Sequence, residues 1–345
     1  MRIKRFSAAY LLSFLLSFSI FTNGISQEPR RLQTIFDYLS QEEGGKITLE
    51  ADMTTLLENR QTDDYSPALL TMSDGKNFQV KIKPKGKYRR KVAEVPPLKV
   101  KFPKKSLQAL GLDTLNEIKL VLPCYDNNLG DELIIREYLA YRMFEHLTSA
   151  SVRARLLRLT LRDSHVEKSR KVMYALMVED NEETSARLNG FEVERYGLQA
   201  DSMIENQVAL VTMFEYMIGN TDWDLAMMRN VRLLRSSETE KVLVVPYDFD
   251  FSGFVSAPYA SPSSESGIMT VRDRFLMANG IEREALRRAT LLLKRTKDDF
   301  YTICRSKFIS KASSMELIEY LETFFQQIDT NGDVPARMKV PLPGE

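Results

Sequence analysis

The feature that most constrains the fold of this chain is a change of hydrophobic period partway along it. In the first third, residues 46–51, 68–72, 78–83, 98–102 and 118–123 are short, often alternating apolar and polar, and bounded by Gly, Pro, Asp or Asn. Such runs bury one face of a strand at a time and predict a meandering antiparallel sheet. The next segment, 131–148, places Leu133, Ile134, Tyr138, Leu139, Tyr141, Met143 and Phe144 largely at helical spacing, with acidic residues in its first turn. Two more strands, 153–161 and 172–179, follow. From Met203 the period becomes helical: Ile204, Val208, Leu210, Val211, Phe214 and Met217 share a stripe that stops at Gly219, a residue suited to the left-handed end of a helix. A hairpin over 230–234 and 242–245, a Ser- and Pro-rich loop over 256–266, and helical segments at 283–294, 297–308 and 314–327 complete the chain. The predicted class is α+β: a β-rich part with one long helix over 27–180, then a mostly α part over 181–345.

The amino terminus carries a different signal. Basic residues Arg2, Lys4 and Arg5 precede an apolar run from Ala8 to Phe21, which breaks into small and polar residues through Gln27. This pattern predicts a secretory signal peptide over 1–26. Its apolar core of about 14 residues is short against the roughly 20 that span a bilayer, so no stable membrane insertion is expected after cleavage. The expected location is outside the cytoplasm, periplasmic or secreted, with a bacterial envelope favoured by the absence of a disulfide framework.

Forty-eight basic residues against 47 acidic ones leave a net charge of +1, which excludes a global attraction to nucleic acid or anionic membrane. A local exception is the basic run Lys81, Lys83, Lys85, Lys87, Arg89, Arg90 and Lys91, which suits either a solvated strand edge or a surface facing phosphate. Two cysteines, Cys124 and Cys304, are too few for a disulfide scaffold and too far apart in sequence for a zinc signature. The two histidines, His146 and His165, have no metal-ligand partner at helical spacing, which removes most of the case for histidine-centred hydrolysis.

Two acidic turns carry the chemistry. Residues 219–224 read Gly-Asn-Thr-Asp-Trp-Asp and are followed by Asn230, while residues 246–253 read Pro-Tyr-Asp-Phe-Asp-Phe-Ser-Gly. Together they set Asp222, Asp224, Asp248, Asp250 and Asn230 at the ends of predicted core elements, on either side of one hairpin. Oxygen donors so placed suit Mg²⁺ or Mn²⁺ beside a general base. Asn and Asp also favour bends for purely conformational reasons, so either turn alone is ambiguous. A phosphotransferase further needs a cation for nucleotide phosphates. Lys119, Lys99 and Lys101 on predicted strands are candidates, with Glu137 on the following helix as the carboxylate that would hold the lysine.

At these residues the chain resembles the CotH-like atypical kinases of exported and spore-coat proteins. The resemblance lies in Arg136-Glu137-Tyr138-Leu139, in Val178-Glu179-Asp180 at a strand end, and in the two acidic turns, and it covers roughly residues 46–274. The turns are also similar to those of the HipA-like kinases. The resemblance implies a protein-kinase-like two-lobed fold that uses ATP and a divalent metal to phosphorylate a secreted or envelope protein. It implies Asp222 as the catalytic aspartate, Asn230 and Asp248 as metal ligands with Asp250 beside them, and Glu179 near the nucleotide hinge.

The pattern departs from common protein kinases in two respects. There the base and the metal asparagine are five positions apart; here Asp222 and Asp224 precede Asn230 by eight and six. Both aspartates therefore stay candidates for the base. No Gly-x-Gly-x-x-Gly loop occurs in the first strands, so the turn around Gly86 is the candidate phosphate cover. These departures also suit a second expectation, a catalytically inactive protein of the same fold that binds metal or nucleotide and has an assembly role in the cell envelope.

Overall fold

The computed structural model describes residues 31–330; the expected signal peptide lies outside the described residues. In chain order the elements are α1 (Ile35–Leu39), β1 (Gly45–Ala51), α2 (Met53–Glu58), β2 (Ser66–Met72), β3 (Asn77–Pro84), α3 (Arg89–Val92), β4 (Leu98–Lys101), α4 (Lys104–Ala109), β5 (Glu117–Val121) and α5 (Asn128–Leu147). There follow β6 (Ala154–Asp163), β7 (Lys171–Glu179), α6 (Asn181–Arg187), β8 (Phe191–Glu192), α7 (Glu205–Ile218), β9 (Val231–Arg235), β10 (Leu243–Pro246), α8 (Arg283–Arg295), α9 (Lys297–Cys304) and α10 (Lys311–Thr330). The mixed α/β content follows the sequence pattern closely. The five short helices α1, α2, α3, α4 and α6 are additions that periodicity does not resolve, because each spans too few residues to establish a period.

Seven strands close into a barrel in the order β1-β2-β3-β4-β5-β7-β6. The expected antiparallel meander holds from β1 to β5, and what periodicity did not give is its closure: β1 pairs with β6 in parallel, Ile47 opposite Leu159 and Leu49 opposite Leu161, which leaves no free edge. Alternation sends Leu49, Leu70, Val80, Ile82, Val100, Ile118, Leu120 and Leu159 into one core inside the barrel. The other faces of β6 and β7 are also covered. Leu156, Leu176 and Val178 pack with α5 in a second core, and β7 accordingly reads as a nearly continuous apolar run.

That second core also contains α7, the β9–β10 hairpin and α8 to α10. The side chain of Asn127 caps α5 by accepting from the Gly130 amide at 3.0 Å, and Asp131 lies in the first turn, where the helix dipole favours a negative charge. Helix α7 ends as expected at Gly219, whose φ of 66° is left-handed. A Cβ there would come within 2.1 Å of the Tyr320 hydroxyl, so both conformation and space require glycine. Trp223 is buried in this core. Cys124 and Cys304 are both buried free thiols.

Candidate active site

The register of the barrel places lysines in a row. Lys83 pairs with Lys99, and Lys99 with Lys119, across β3, β4 and β5. Because Ile82, Val100 and Ile118 point inward, these three lysines share the outer face. Lys99 is neutralised there by Glu117 and, at 3.1 Å, by Asp180. Lys119 has no carboxylate within ion-pair distance among the described residues; its ammonium lies 5.9 Å from the centre of the Tyr247 ring. Lys101, the third candidate, also pairs with Glu117, at 2.9 Å, so of the three predicted lysines Lys119 is the one oriented towards the acidic turns.

Helix α5 brings Glu137 and Tyr141 to the same side, one turn apart. Glu137 is only 1% exposed. One of its oxygens accepts from Arg89 at 2.7 Å, while Oε1 is buried with no hydrogen-bond partner among the described residues. The Tyr141 hydroxyl accepts the backbone amide of Asp248 at 2.8 Å. Asp248 has a φ of 65° and Asn230 a φ of 52°. Left-handed backbone at non-glycine residues is uncommon, and Asn and Asp are the residues that tolerate it best.

The two acidic turns meet through the hairpin. Pro246 pairs with Val231, and the Tyr247 amide donates to the Asn230 carbonyl at 3.0 Å, so Asp248 emerges beside Asn230. The Asn230 side-chain amide donates to the carbonyl of Asp222 at 2.6 Å and to its carboxylate at 3.0 Å. Asn220 fixes the other side by accepting the Asp222 amide at 2.9 Å. Burial pushes the Asp222 carboxyl above its ordinary range; the Arg229 guanidinium opposes this and the charge of Asp248 adds to it.

The remaining predicted residues go elsewhere. Asp224 organises a tight turn: its carboxylate accepts the Met227 amide at 2.6 Å, and its backbone exchanges two hydrogen bonds with Arg229. Asp250 is buried and bound by Arg89, at 3.0 Å from Nε and 2.8 Å from an Nη. Burial pushes Asp250 up to about 7, with Arg89 opposing and Asp248 and Glu137 adding. Glu179 is fully buried among Arg153 and Arg187 at the end of β7, so its carboxylate serves that cluster. Its backbone carbonyl accepts from Arg232, whose guanidinium lies 5.3 Å from the centre of the Tyr247 ring.

Among the described residues no group of three or more His, Cys, Asp and Glu side chains is arranged to hold a metal ion. Asn230 bonds the Asp222 carboxylate, and Asp248 is near enough for its charge to act on Asp222, so these three residues supply the oxygen donors. With its Nδ2 engaged by Asp222, Asn230 has its Oδ1 left to coordinate. Such a set fits Mg²⁺ bound jointly by one or two carboxylates, water and substrate phosphates, rather than a complete protein cage.

Sequence reasoning missed Arg89, Tyr141 and Asn220. Arg89 lay within the basic run but was not distinguished from its neighbours, and only its burial does so. Tyr141 sits one helical turn from Glu137, a spacing that could have singled it out.

No family model matches the chain and no curated protein matches it. Among solved structures, a proinflammatory kinase of Helicobacter pylori, CtkA, aligns with a TM-score of 0.39 at 11% identity, over 71% of this chain and 91% of that chain. The overlap is loose, and the functional reading rests on side-chain geometry instead.

Proposed function

We propose that this protein is an exported atypical kinase of the CotH-like type, with a β-rich lobe and a mostly helical lobe, that transfers phosphate from ATP to a secreted or envelope protein with the help of Mg²⁺ or Mn²⁺. The observation that carries this reading is the convergence of Asp222, Asn230 and Asp248 from two turns that are separate in sequence, with Lys119 and Glu137 beside them. In this reading Lys119 would bind nucleotide phosphate, and Asp248 and Asn230 would hold a divalent metal, which supplies neutralisation of phosphate charge when bound. Asp222 accepts the proton of the acceptor hydroxyl as its oxygen bonds to the γ-phosphorus and the bond to ADP breaks.

A specific observation favours a second reading, a nucleotide-binding protein without transfer activity. Glu137 is paired with Arg89 rather than with Lys119, and Asp250 is tied to the same arginine. A protein that bound nucleotide and metal but transferred nothing could serve an assembly role in the envelope.

The deciding experiment is the melting temperature of the protein with ATP and Mg²⁺ or Mn²⁺, beside Asp248→Ala. Ligand that binds only the folded state raises the melting temperature by mass action. A metal-dependent rise lost in the variant supports nucleotide in this cleft, and phosphate appearing on an acceptor separates the first reading from the second. No rise in the wild type removes both.

A further inference from the structure

Arg89 opens α3, in the connection between β3 and β4, yet its side chain is buried among groups of the other core. It is 7% exposed and its guanidinium bridges Glu137 on α5 and Asp250 in the second acidic turn. The guanidinium also lies 5.9 Å from the centre of the Tyr259 ring. Its neighbour Tyr88 packs edge-on against Phe251 at 5.7 Å and near Tyr259 at 6.0 Å. The connection from β3 to β4 is therefore pinned at α3. Its other end lies at Lys85, whose amide donates to the Pro97 carbonyl at 2.7 Å and whose ammonium feels the charges of Lys99 and Lys83, then of Asp63 and Asp180. Between these ends lies the turn at Gly86, whose φ is 86° and where a Cβ would meet Pro97 at 3.9 Å.

We infer that Arg89 is a positioning residue: its forked guanidinium latches the β3–β4 connection to the acidic turn and so holds Lys85 and the Gly86 turn as the cover of the phosphate-binding face. Two carboxylates from different elements require two donor directions from one cation, which a guanidinium supplies and an ammonium does not. What lies beneath the cover follows from the nucleotide reading above; that Arg89 holds the cover in place does not depend on it.

Hydrogen exchange of the backbone amides of residues 85–93 tests the latch without any ligand. In Arg89→Met these amides should exchange roughly 10-fold faster or more, while β6 and β7 keep their protection, because the local opening no longer has to break the ion pairs. Arg89→Met leaves two buried carboxylates without a partner, so the triple variant Arg89→Met, Glu137→Gln, Asp250→Asn, which buries no net charge, provides the same measurement in a neutral background. Wild-type protection of 85–93 in the triple variant overturns the inference, since aromatic packing alone would then hold the segment. Arg89→Lys keeps the charge but loses the fork, and its affinity for ATP with Mn²⁺ should be about 10-fold weaker than that of the wild type. Unchanged affinity in Arg89→Lys with loosened exchange also overturns it, because the latch would not serve the site. If the wild type binds no ATP, the nucleotide reading fails and the exchange experiment alone decides the latch.

Discussion

The Asn230 side chain donates to both the backbone carbonyl and the carboxylate of Asp222, so that one amide group fixes the height and the orientation of the candidate base. The contact spans eight positions, longer than the five of common protein kinases, and the extra residues are spent on the Asp224–Arg229 turn that folds the loop back. Asp222→Asn should therefore leave metal-dependent ATP binding intact and lower phosphate transfer by about 10²–10⁴-fold, the usual contribution of a general base. Thermal shift and radiolabelled transfer, measured on the same preparation, check the two halves. Full transfer activity in the variant would remove Asp222 from the chemistry.

The same carboxylate sets a pH dependence. A base must be ionised to act, and burial raises the Asp222 pKa, so the acidic limb of the rate profile should lie above that of an ordinary aspartate, with transfer increasing as pH rises through it. Arg229 opposes the shift from 3.5 Å. Arg229→Ala should move the limb further towards alkaline pH, and a limb that stays put or moves the other way would argue against Asp222 as the base.

Lys119 and Lys99 differ in what surrounds them, and their variants should fail differently. Lys119→Met should weaken ATP binding with little change in melting temperature, because no carboxylate loses its partner. Lys99→Met leaves Asp180 without its cation and Glu117 with Lys101 alone, and should cost about 1–3 kcal/mol of stability while sparing nucleotide affinity. Denaturant titration and isothermal calorimetry on the pair test this contrast.

Tyr141→Phe removes the acceptor of the Asp248 amide and leaves that donor without its partner, at a cost of about 1–3 kcal/mol. Because the hydroxyl also holds Asp248 in its left-handed conformation, transfer should fall by more than the stability loss alone explains. Crystal structures of the variant and the wild type would show whether the Asp248 φ leaves the positive region.

Glu215, on the last turns of α7 behind Asn220, is fully buried, and burial pushes its carboxyl up to about 8, with the Asn220 amide opposing and the Asp222 charge adding. The folded state thus binds a proton that the unfolded state has released. The resulting stability is fully present below the unfolded pKa near 4.5 and is lost as pH rises through about 8. Glu215→Gln abolishes this dependence. Its melting temperature should overtake that of the wild type with rising pH, by an amount corresponding to roughly 3–5 kcal/mol once Glu215 is forced to ionise. Parallel curves from pH 5 to pH 9 would contradict it.

The sequence alone determined the seven barrel strands, the long helices and the two turns, but not the short helices. Period two against period 3.6, Gly219 at a helix end and the Asx-rich bends are local properties, so strands β1 to β7, the long helix α5 and the positions of Asp222 and Asp248 could all be read from short windows. What surrounds each charged side chain could not. Closure of the barrel depends on β1 meeting β6 more than 100 residues later, as in the pairing of Ile47 with Leu159. That Lys119 faces the site while Lys99 is consumed by Glu117 and Asp180, that Glu179 serves an arginine cluster, and that Arg89 is drawn out of a basic run to hold Glu137 and Asp250 were all decided by tertiary structure. The physical reason is that burial makes an unpaired charge costly, so partners are chosen by proximity in space, which no single window of sequence contains.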